Sequence, residues 1–387
     1  MFQRGNKAYN ILLSTTFLLC SMSVFLKDIL FPTFGVIVYL LILAFYVCSA
    51  LVVVANGINK YTLTLIILLL IYSCFIVGLR SYADLSSVVS HLVLLFSVLI
   101  LSVELSSKTF YRESKVVAIL SAIVLFAVFI TANNQNRLNI EWFAGSFNRN
   151  LIKVVVSFSL LAYFIYSVRL RKSISYLIVL PHVVYLFLSN SRAGIVFGFI
   201  VLLSVFVNNY RLTKRKFIYI LFLVLVLKML FFYIYLNIED IESLLWGLSR
   251  FQTSSGVVDP RESLLLCYKN NTDFLQVLFG LDSFTNGDCA YAAGVGVPNH
   301  HNSFIRGATL LGLPFIIICF IFLSLFFLNL LVSVQMASLI YVIGFLFINA
   351  TESSMFFSLY DPIFISLVLN SLKDFPTRRG VLYEKKC

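Results

Sequence analysis

Long apolar stretches recur along the chain from residue 9 to residue 372, and short polar connections separate them. Stretches of about 18 to 25 apolar residues with few charges are typical of helices that cross a bilayer. The alternation of apolar and polar residues expected of a membrane β-barrel is absent from the sequence. About twelve spans are predicted, at 9–26, 29–55, 61–79, 88–105, 116–132, 151–168, 173–190, 193–208, 217–236, 307–332, 334–349 and 356–372. The pattern predicts an all-α, polytopic integral membrane protein, because a backbone in lipid must satisfy its own hydrogen bonds.

One polar interruption is much longer than the others. Residues 237–302 separate the ninth predicted span from the tenth. The predicted organisation therefore has three parts: a bundle of about nine transmembrane helices over residues 1–236, a large loop over 237–302, and helices 10 to 12 with a tail over 303–387.

The composition also indicates a membrane protein, and the distribution of Lys and Arg predicts its orientation in the membrane. Of the 387 residues, 60% are hydrophobic and 12% charged, whereas soluble domains carry about 25% charged residues. The net charge of +12 does not require nucleic acid, because Lys and Arg concentrate on the cytoplasmic side of membrane proteins. With both termini cytoplasmic, about eighteen of the 29 Lys and Arg residues lie inside. The same orientation puts the 237–302 loop on the outer face.

Two of the four histidines lie together where the large loop returns to apolar sequence, in the stretch Pro298–Arg306. An imidazole at a membrane surface titrates near neutrality and can accept a proton from a sugar hydroxyl. Asn302 and Ser303 are favoured N-cap residues, and a helix start also attracts anions. We select His301 over His300 because it directly precedes Asn302. The competing interpretation is that these histidines only cap the helix.

Arginines on the outward face are the second group of candidates. Arg192 lies in the short turn Ser189–Gly194 between two apolar spans, and an arginine at that depth needs a partner such as a phosphate. Snorkelling to the headgroups is the alternative. Further candidates are Arg250 and Arg261 in the large loop, Arg80 at the end of the third span, and Arg306.

Other polar groups in the spans carry weaker signals. Lys228 lies within a predicted span, where a charge suggests function. His91 and His182 are expected to be satisfied within the bundle. The sequence has no phosphate-binding P-loop, dinucleotide fingerprint or metal-ligand motif, so neither a cofactor nor a metal is predicted.

Cysteines give two expectations. Cys20, Cys48, Cys74 and Cys319 lie in apolar spans and are interpreted as small core residues. Cys267 and Cys289 share the outward loop, where an oxidising compartment would allow a disulfide. The sequence leaves that pairing open, because it does not show their separation.

Several of these motifs occur together in an order that resembles the O-antigen ligase and O-antigen polymerase superfamily. They are Ser191–Gly194 opening a span, Arg261 in the large loop, Phe279–Asp282, His301–Phe304 and Leu311–Pro314, with Gly145–Asn150 before the sixth span. The resemblance covers most of the chain, including the twelve-span layout and the single long loop. It implies a metal-independent, inverting glycosyltransferase of the bacterial inner membrane, with its active site facing the periplasm and undecaprenyl diphosphate as the leaving group.

The resemblance also implies roles for individual residues. His301 would be the catalytic base, and Arg192 and Arg261 would bind the diphosphate, with Arg80 as a less secure match. His300, Arg250, Asn302 and Arg306 are further candidates for the same site. One departure is that the family often has a glutamate shortly before the glycine of Leu311-Gly312, where this chain has Thr309 and Leu310.

Three functions remain open at this point. A polymerase would add lipid-linked repeat units to a growing surface polysaccharide; it is favoured because no loop suggests a dedicated lipopolysaccharide-core site. A ligase would transfer the glycan to lipid A-core. A flippase for lipid-linked oligosaccharides would place its polar groups near the middle of the membrane. The predicted partners are the undecaprenyl-diphosphate-linked oligosaccharide and the lipid membrane, with lipid A-core or a chain-length regulator protein as alternatives, and no nucleic acid.

Overall fold

The structure is a computed structural model. It describes residues 7–24, 26, 34–78, 85–134, 149–188, 192–210, 303–333, 335–351 and 358–373. Within these residues the chain forms eleven α-helices and no strand. They are α1 (Lys7–Val24), α2 (Gly35–Ala55), α3 (Lys60–Gly78), α4 (Leu85–Leu105), α5 (Tyr111–Asn134), α6 (Arg149–Arg169), α7 (Tyr176–Leu188), α8 (Arg192–Asn209), α9 (Ser303–Val332), α10 (Met336–Thr351) and α11 (Asp361–Lys373).

The all-helical class predicted from the apolar pattern is confirmed for the described residues. Three segments are long and apolar enough to cross a membrane, namely Val36–Ala55, Ile152–Arg169 and Gly312–Val332. Shorter apolar helices make up much of the rest, so the chain has the character of a membrane protein. The full set of twelve spans and the large loop remain predictions, because 217–236 and 237–302 lie outside the described residues.

Helix α6 is the centre of the bundle, and its side chains from 152 to 167 are all buried. It runs antiparallel to α10 through aromatic contacts along its length. The Phe158 ring meets the Phe345 ring edge-on at 4.9 Å, and Phe164 stacks on Tyr341 at 4.3 Å. The Tyr341 hydroxyl donates a 2.8 Å hydrogen bond to the Ser157 carbonyl. A buried phenol with a backbone acceptor fixes the relative height of the two helices.

Helix α8 also packs against α10, at a position where a glycine permits close approach. A Cβ placed on Gly344 would lie 2.6 Å from Ile200 Cγ2 and 3.0 Å from Phe197 Cδ2. Small residues at such crossings are typical of membrane helix pairs, because packing rather than water exclusion holds them together. Helices α6, α8 and α10 therefore form a tight three-helix group.

The substitution Gly344→Ala is expected to lower the free energy of unfolding by about 1–3 kcal/mol, because the added methyl group overpacks the α8–α10 contact. The midpoint of thermal unfolding in detergent measures the effect. Gly198→Ala is the matched control, since its Cβ would come no closer to a neighbour than 3.3 Å, at the Phe187 ring. Equal midpoints for the two variants would show that the α8–α10 contact is not tight.

Large apolar side chains face outward on several helices. Val36 is 74% exposed, Leu177 is 87% exposed and Phe320 is 72% exposed, as suits contact with lipid. The expectation that all four span cysteines are core residues is wrong for Cys48 and Cys74, which are exposed, although Cys20 is buried and Cys319 is half-buried. A thiol costs little on either side of a membrane helix, because the lipid is as apolar as the core.

Candidate functional site at the outer end of the bundle

The outer end of the bundle is defined here as the end at which α6, α8 and α9 begin and α10 ends. The close contact of Gly344 with Phe197 and Ile200 places the start of α8 beside the end of α10. A tight turn joins α9 to α10, in which the Gln335 N–H donates to the Leu330 carbonyl at 2.9 Å. The outer end is the one that the charge pattern predicts to face outward.

Most of the residues selected from the sequence cannot be located, because they lie outside the described residues. These are His300, His301, Asn302, Arg80, Arg250 and Arg261, together with Cys267, Cys289 and Lys228. The backbone positions of Arg192 and Arg306 are described, in α8 and α9. Convergence of the imidazole and the guanidinium groups thus stays a prediction.

Arg192 is the first residue of α8, which agrees with the expectation that it opens a span. The helix start has backbone N–H groups without partners in the helix, so the peptide dipoles favour negative charge there. Gly194, two residues further, is buried. An arginine at this position would add a formal positive charge to an end that already favours anions.

Helix α9 begins at Ser303, which is fully buried. The predicted helix start around Asn302 and Ser303 agrees with this boundary to within a residue, and the predicted span 307–332 begins five residues before the apolar span Gly312–Val332. His301 precedes Ser303 by two residues, and covalent geometry alone limits the distance between their Cα atoms to about 7 Å. The backbone of His301 is therefore within that distance of a buried residue, Ser303.

The Leu311–Pro314 motif has a structural role in α9. Gly312 has φ 67° and ψ −160°, a backbone conformation that is essentially restricted to glycine. Pro314 follows and lacks an N–H for the preceding turn. The chain from Ser303 to Leu311 is therefore a separate short helix, set at an angle to the apolar span that follows. The motif therefore sets the direction of the short helix Ser303–Leu311 relative to the span.

Two polar side chains, one on α6 and one on α10, are buried at about the same level along the bundle, near its outer end. Lys153 on α6 is 1% exposed and Asn349 on α10 is 0% exposed. The Phe158–Phe345 contact serves as a common reference level for the two helices. Lys153 lies five residues from Phe158 toward the outer end, and Asn349 lies four residues from Phe345 in the same direction. Both are therefore about 6–8 Å closer to the outer end than that contact. The Asn349 amide donates to the Phe345 carbonyl at 2.8 Å. Lys153 was not selected as a candidate from the sequence, although its apolar neighbours Ile152 and Val154 indicate burial.

A buried carboxylate lies deeper in the bundle, at the start of α11. Asp361 is 4% exposed, and its two oxygens accept hydrogen bonds from the Ser358 N–H at 2.8 Å and the Ser358 hydroxyl at 3.0 Å. The bond from the Ser358 N–H to the acid three residues on is one half of a capping box. The pattern of a serine followed three residues later by an acid, before an apolar run, could have revealed it.

The contacts of Leu359 and Tyr360 show how far the start of α11 lies inside the bundle. The Tyr46 hydroxyl donates to the Leu359 carbonyl at 2.9 Å, and Tyr46 lies eleven residues, or about 16 Å, along α2 from Gly35. The Tyr360 ring stacks on Phe158 at 4.5 Å. The predicted span 356–372 therefore began too early, since the helix starts at Asp361, inside the bundle.

His182, predicted to be satisfied within the bundle, is fully buried and has partners at both ring nitrogens. Its Nδ1 lies 2.8 Å from the Ile178 carbonyl oxygen, and its Nε2 lies 2.7 Å from the Ser121 hydroxyl. A carbonyl only accepts, so Nδ1 carries the hydrogen and Nε2 of the neutral ring accepts from Ser121. The expectation for His182 is confirmed, and its role is to join α5 to α7. His91 lies in α4, where its side chain is not described.

The described residues contain no group of three or more His, Cys, Asp or Glu side chains that could hold a metal ion. Comparison with protein-family models, curated proteins and solved structures gives no match. The functional assignment therefore depends on the sequence motifs and on the geometry at the outer end.

Proposed function

We propose that the protein is a glycosyltransferase of the bacterial inner membrane that uses an undecaprenyl-diphosphate-linked glycan as donor. The observation that carries the proposal is the placement of α8 and α9 as neighbours of one helix, α10, with both starts at the outer end. Packed helices lie about 8–10 Å apart. We therefore place one diphosphate-linked sugar over the outer end of α10, between the starts of α8 and α9, as the proposed substrate of Arg192 and His301.

In the proposed reaction, a hydroxyl of the acceptor sugar attacks the anomeric carbon of the donor. His301 accepts the hydroxyl proton as the new carbon–oxygen bond forms. The bond from the anomeric carbon to the diphosphate oxygen breaks, and the configuration at that carbon inverts. Arg192 and Arg261 neutralise the departing undecaprenyl diphosphate through bidentate hydrogen bonds, with Arg80 as a further cation. No metal and no cofactor takes part.

We favour polymerisation of O-antigen or another surface polysaccharide over ligation. Both reactions use the same donor and leaving group, and they differ in the acceptor. No basic or extended loop suggests a site for lipid A-core, whereas a polymerase needs only a second lipid-linked glycan. A chain-length regulator protein is then the natural partner.

One observation favours a transporter as the second candidate. Asp361 lies well inside the bundle rather than at its outer end, and an ionisable group at such depth often marks a transport pathway. A flippase for lipid-linked oligosaccharides would move its substrate past such a group and would catalyse no bond formation.

The purified protein in lipid vesicles, supplied with undecaprenyl-diphosphate-linked oligosaccharide, is expected to release undecaprenyl diphosphate and to form longer glycans. Mass spectrometry of the lipid and glycan fractions measures both products. A transporter would form neither. A ligase would release the lipid diphosphate only when lipid A-core is added. In cells, deletion of a polymerase leaves one repeat unit on lipid A-core, whereas deletion of a ligase leaves polymer on the carrier.

A further inference from the structure

The connection between α6 and α7 at the inner end of the bundle, residues 170–175, is held by three helices; we name it the inner turn. Arg171, Lys172 and Ser173 are exposed on it, whereas Ile174 is buried. A loop that served only to carry positive charge to the membrane surface would need no such fixation, because the charge bias acts without a defined conformation.

The inner turn closes the end of α6 in a Schellman arrangement. The Lys172 N–H donates to the Ser167 carbonyl at 2.8 Å, and the Arg171 N–H donates to the Val168 carbonyl at 3.0 Å. Arg171 occupies the left-handed position with φ 53°, where glycine is the preferred residue. A side chain there disfavours this conformation, so the guanidinium is present despite a local cost.

Two asparagines at the end of α8 fix the other half of the turn. The Asn209 side chain accepts from the Ile174 N–H at 2.8 Å and donates to the Ile174 carbonyl at 2.9 Å. The Asn208 amide donates to the Lys172 carbonyl at 3.0 Å. Every one of these bonds reaches the backbone, so the turn keeps its shape whatever its exposed side chains contact.

Helices α5 and α6 support the cationic side chain directly. The Lys172 ammonium lies 4.0 Å from the centre of the Tyr111 ring, a cation–π contact. The Ser175 N–H donates to the Tyr163 hydroxyl at 3.1 Å, and the Tyr111 and Tyr163 rings stack at 6.3 Å. The positive charge is thereby positioned beside the start of α5.

The charge around this point is mostly positive. Arg112 and Lys115 are exposed on the first turn of α5. The nearby acid, Glu113, accepts a 2.9 Å hydrogen bond from the Ser14 hydroxyl and lies with Arg169 around Tyr166. Arg171, Lys172, Arg112 and Lys115 outnumber this acid, so the local field of the inner turn and the start of α5 favours an anion.

Apolar side chains border the basic surface on the side toward the membrane. Leu170 is 43% exposed, Tyr176 is 47% exposed and Leu177 is 87% exposed. A soluble anion needs only the cations, whereas a phospholipid also places its acyl chains along an apolar rim beside them. Basic pockets next to membrane helices are typical binding sites for anionic headgroups.

We propose that the inner turn and the first turn of α5 form a binding site for the phosphate headgroup of an anionic phospholipid in the leaflet that this end faces. Arg171 and Lys172 pair with the phosphate, Arg112 and Lys115 add to the positive field, and the acyl chains lie on Leu170 and Leu177. The site is separate from the proposed transferase site, and it does not depend on that function.

The variant Arg171→Gly tests the site, because glycine suits the left-handed position and removes the guanidinium. Thermal unfolding of the full chain is measured in dodecyl maltoside, with dioleoylphosphatidylglycerol or dioleoylphosphatidylcholine added. Without added lipid, the variant is expected to unfold at the same temperature as the wild type or at a higher one. Phosphatidylglycerol should raise the wild-type midpoint by several degrees through mass action, and phosphatidylcholine should not.

In Arg171→Gly the rise caused by phosphatidylglycerol should fall by at least half, and in Arg171→Gly/Lys172→Met it should nearly vanish. Lys7→Gln is the matched control, since Lys7 is an exposed cation at the start of α1, and this variant should keep the full rise. An equal rise in all variants would mean diffuse attraction and would overturn the proposal. Equal stabilisation of the wild type by inorganic phosphate would also overturn it, because the ligand would then be a soluble anion.

Discussion

The substitution His301→Ala is expected to reduce glycan transfer by about 10²–10⁴-fold, which is the usual contribution of a positioned general base. Without the imidazole, the acceptor hydroxyl must attack while it still holds its proton. Release of undecaprenyl diphosphate per minute, from vesicles with a fixed amount of donor, measures the loss. Membrane insertion and the thermal midpoint should stay at wild-type values, because the substitution precedes the buried start of α9 at Ser303.

His300→Ala is the matched control for this experiment, since it removes the same side chain from the adjacent position. Its effect should be much smaller than that of His301→Ala. The reverse ranking would assign the proton transfer to His300. Full activity in both variants, and in the double variant, would contradict an imidazole base and leave capping of α9 as the role of the pair.

The positions of most helices could be predicted from the sequence, because a span in lipid must be both long and apolar. Helix α8 was predicted at 193–208 and runs from Arg192 to Asn209; helix α6 was predicted at 151–168 and runs from Arg149 to Arg169. The errors at the starts of the spans predicted for α9 and α11 have a common cause. At α9 and α11 the apolar sequence continues through a change of backbone direction, at Gly312 and at the Ser358–Asp361 cap. Hydrophobicity alone does not record such a change.

The direction in which each side chain faces was much harder to predict. In a soluble helix the polar stripe marks the exposed side, but a membrane helix is apolar on its lipid side and on its packed side. Cys20 on α1 and Cys48 on α2 both lie within long apolar stretches, yet of these two only Cys20 is buried. Burial of Lys153 depends on the helices that surround α6, which the sequence does not show. His182 could be assigned because a histidine in an apolar helix needs partners wherever it lies.

In the candidate site, the helix starts could be predicted from the sequence, but the way the helices pack could not. The starts of α8 at Arg192 and α9 at Ser303 agree with the sequence, since a short polar turn precedes the first and the large polar loop precedes the second. Their placement as neighbours of α10 was not predictable, because it depends on the contact of Gly344 with Ile200 and on the turn before Met336. That placement brings two segments more than a hundred residues apart to the same end of the bundle.

Arg192→Lys is expected to reduce transfer by about 10²–10³-fold, the loss typical when one donor to a developing oxyanion is removed. A lysine keeps the charge and the helix start, but a single ammonium cannot make the two parallel hydrogen bonds that a guanidinium makes to a phosphate. The rate of undecaprenyl diphosphate release at saturating donor measures the effect. The loss should appear in that rate more than in donor affinity, because the charge on the leaving oxygen grows only as the bond breaks.

Arg169→Lys is the matched control, since it makes the same exchange at the inner end of α6, away from the proposed site, and it should keep wild-type activity. The experiment separates the two interpretations of Arg192, because a snorkelling side chain reaches the headgroups equally well as arginine or lysine. Wild-type activity in Arg192→Lys would therefore make Arg192 a membrane anchor, and the diphosphate would have to be neutralised from the large loop and not from the start of α8. A severe loss in Arg192→Lys with an intact Arg169→Lys would instead show that the outer end of the three-helix group binds the departing phosphate.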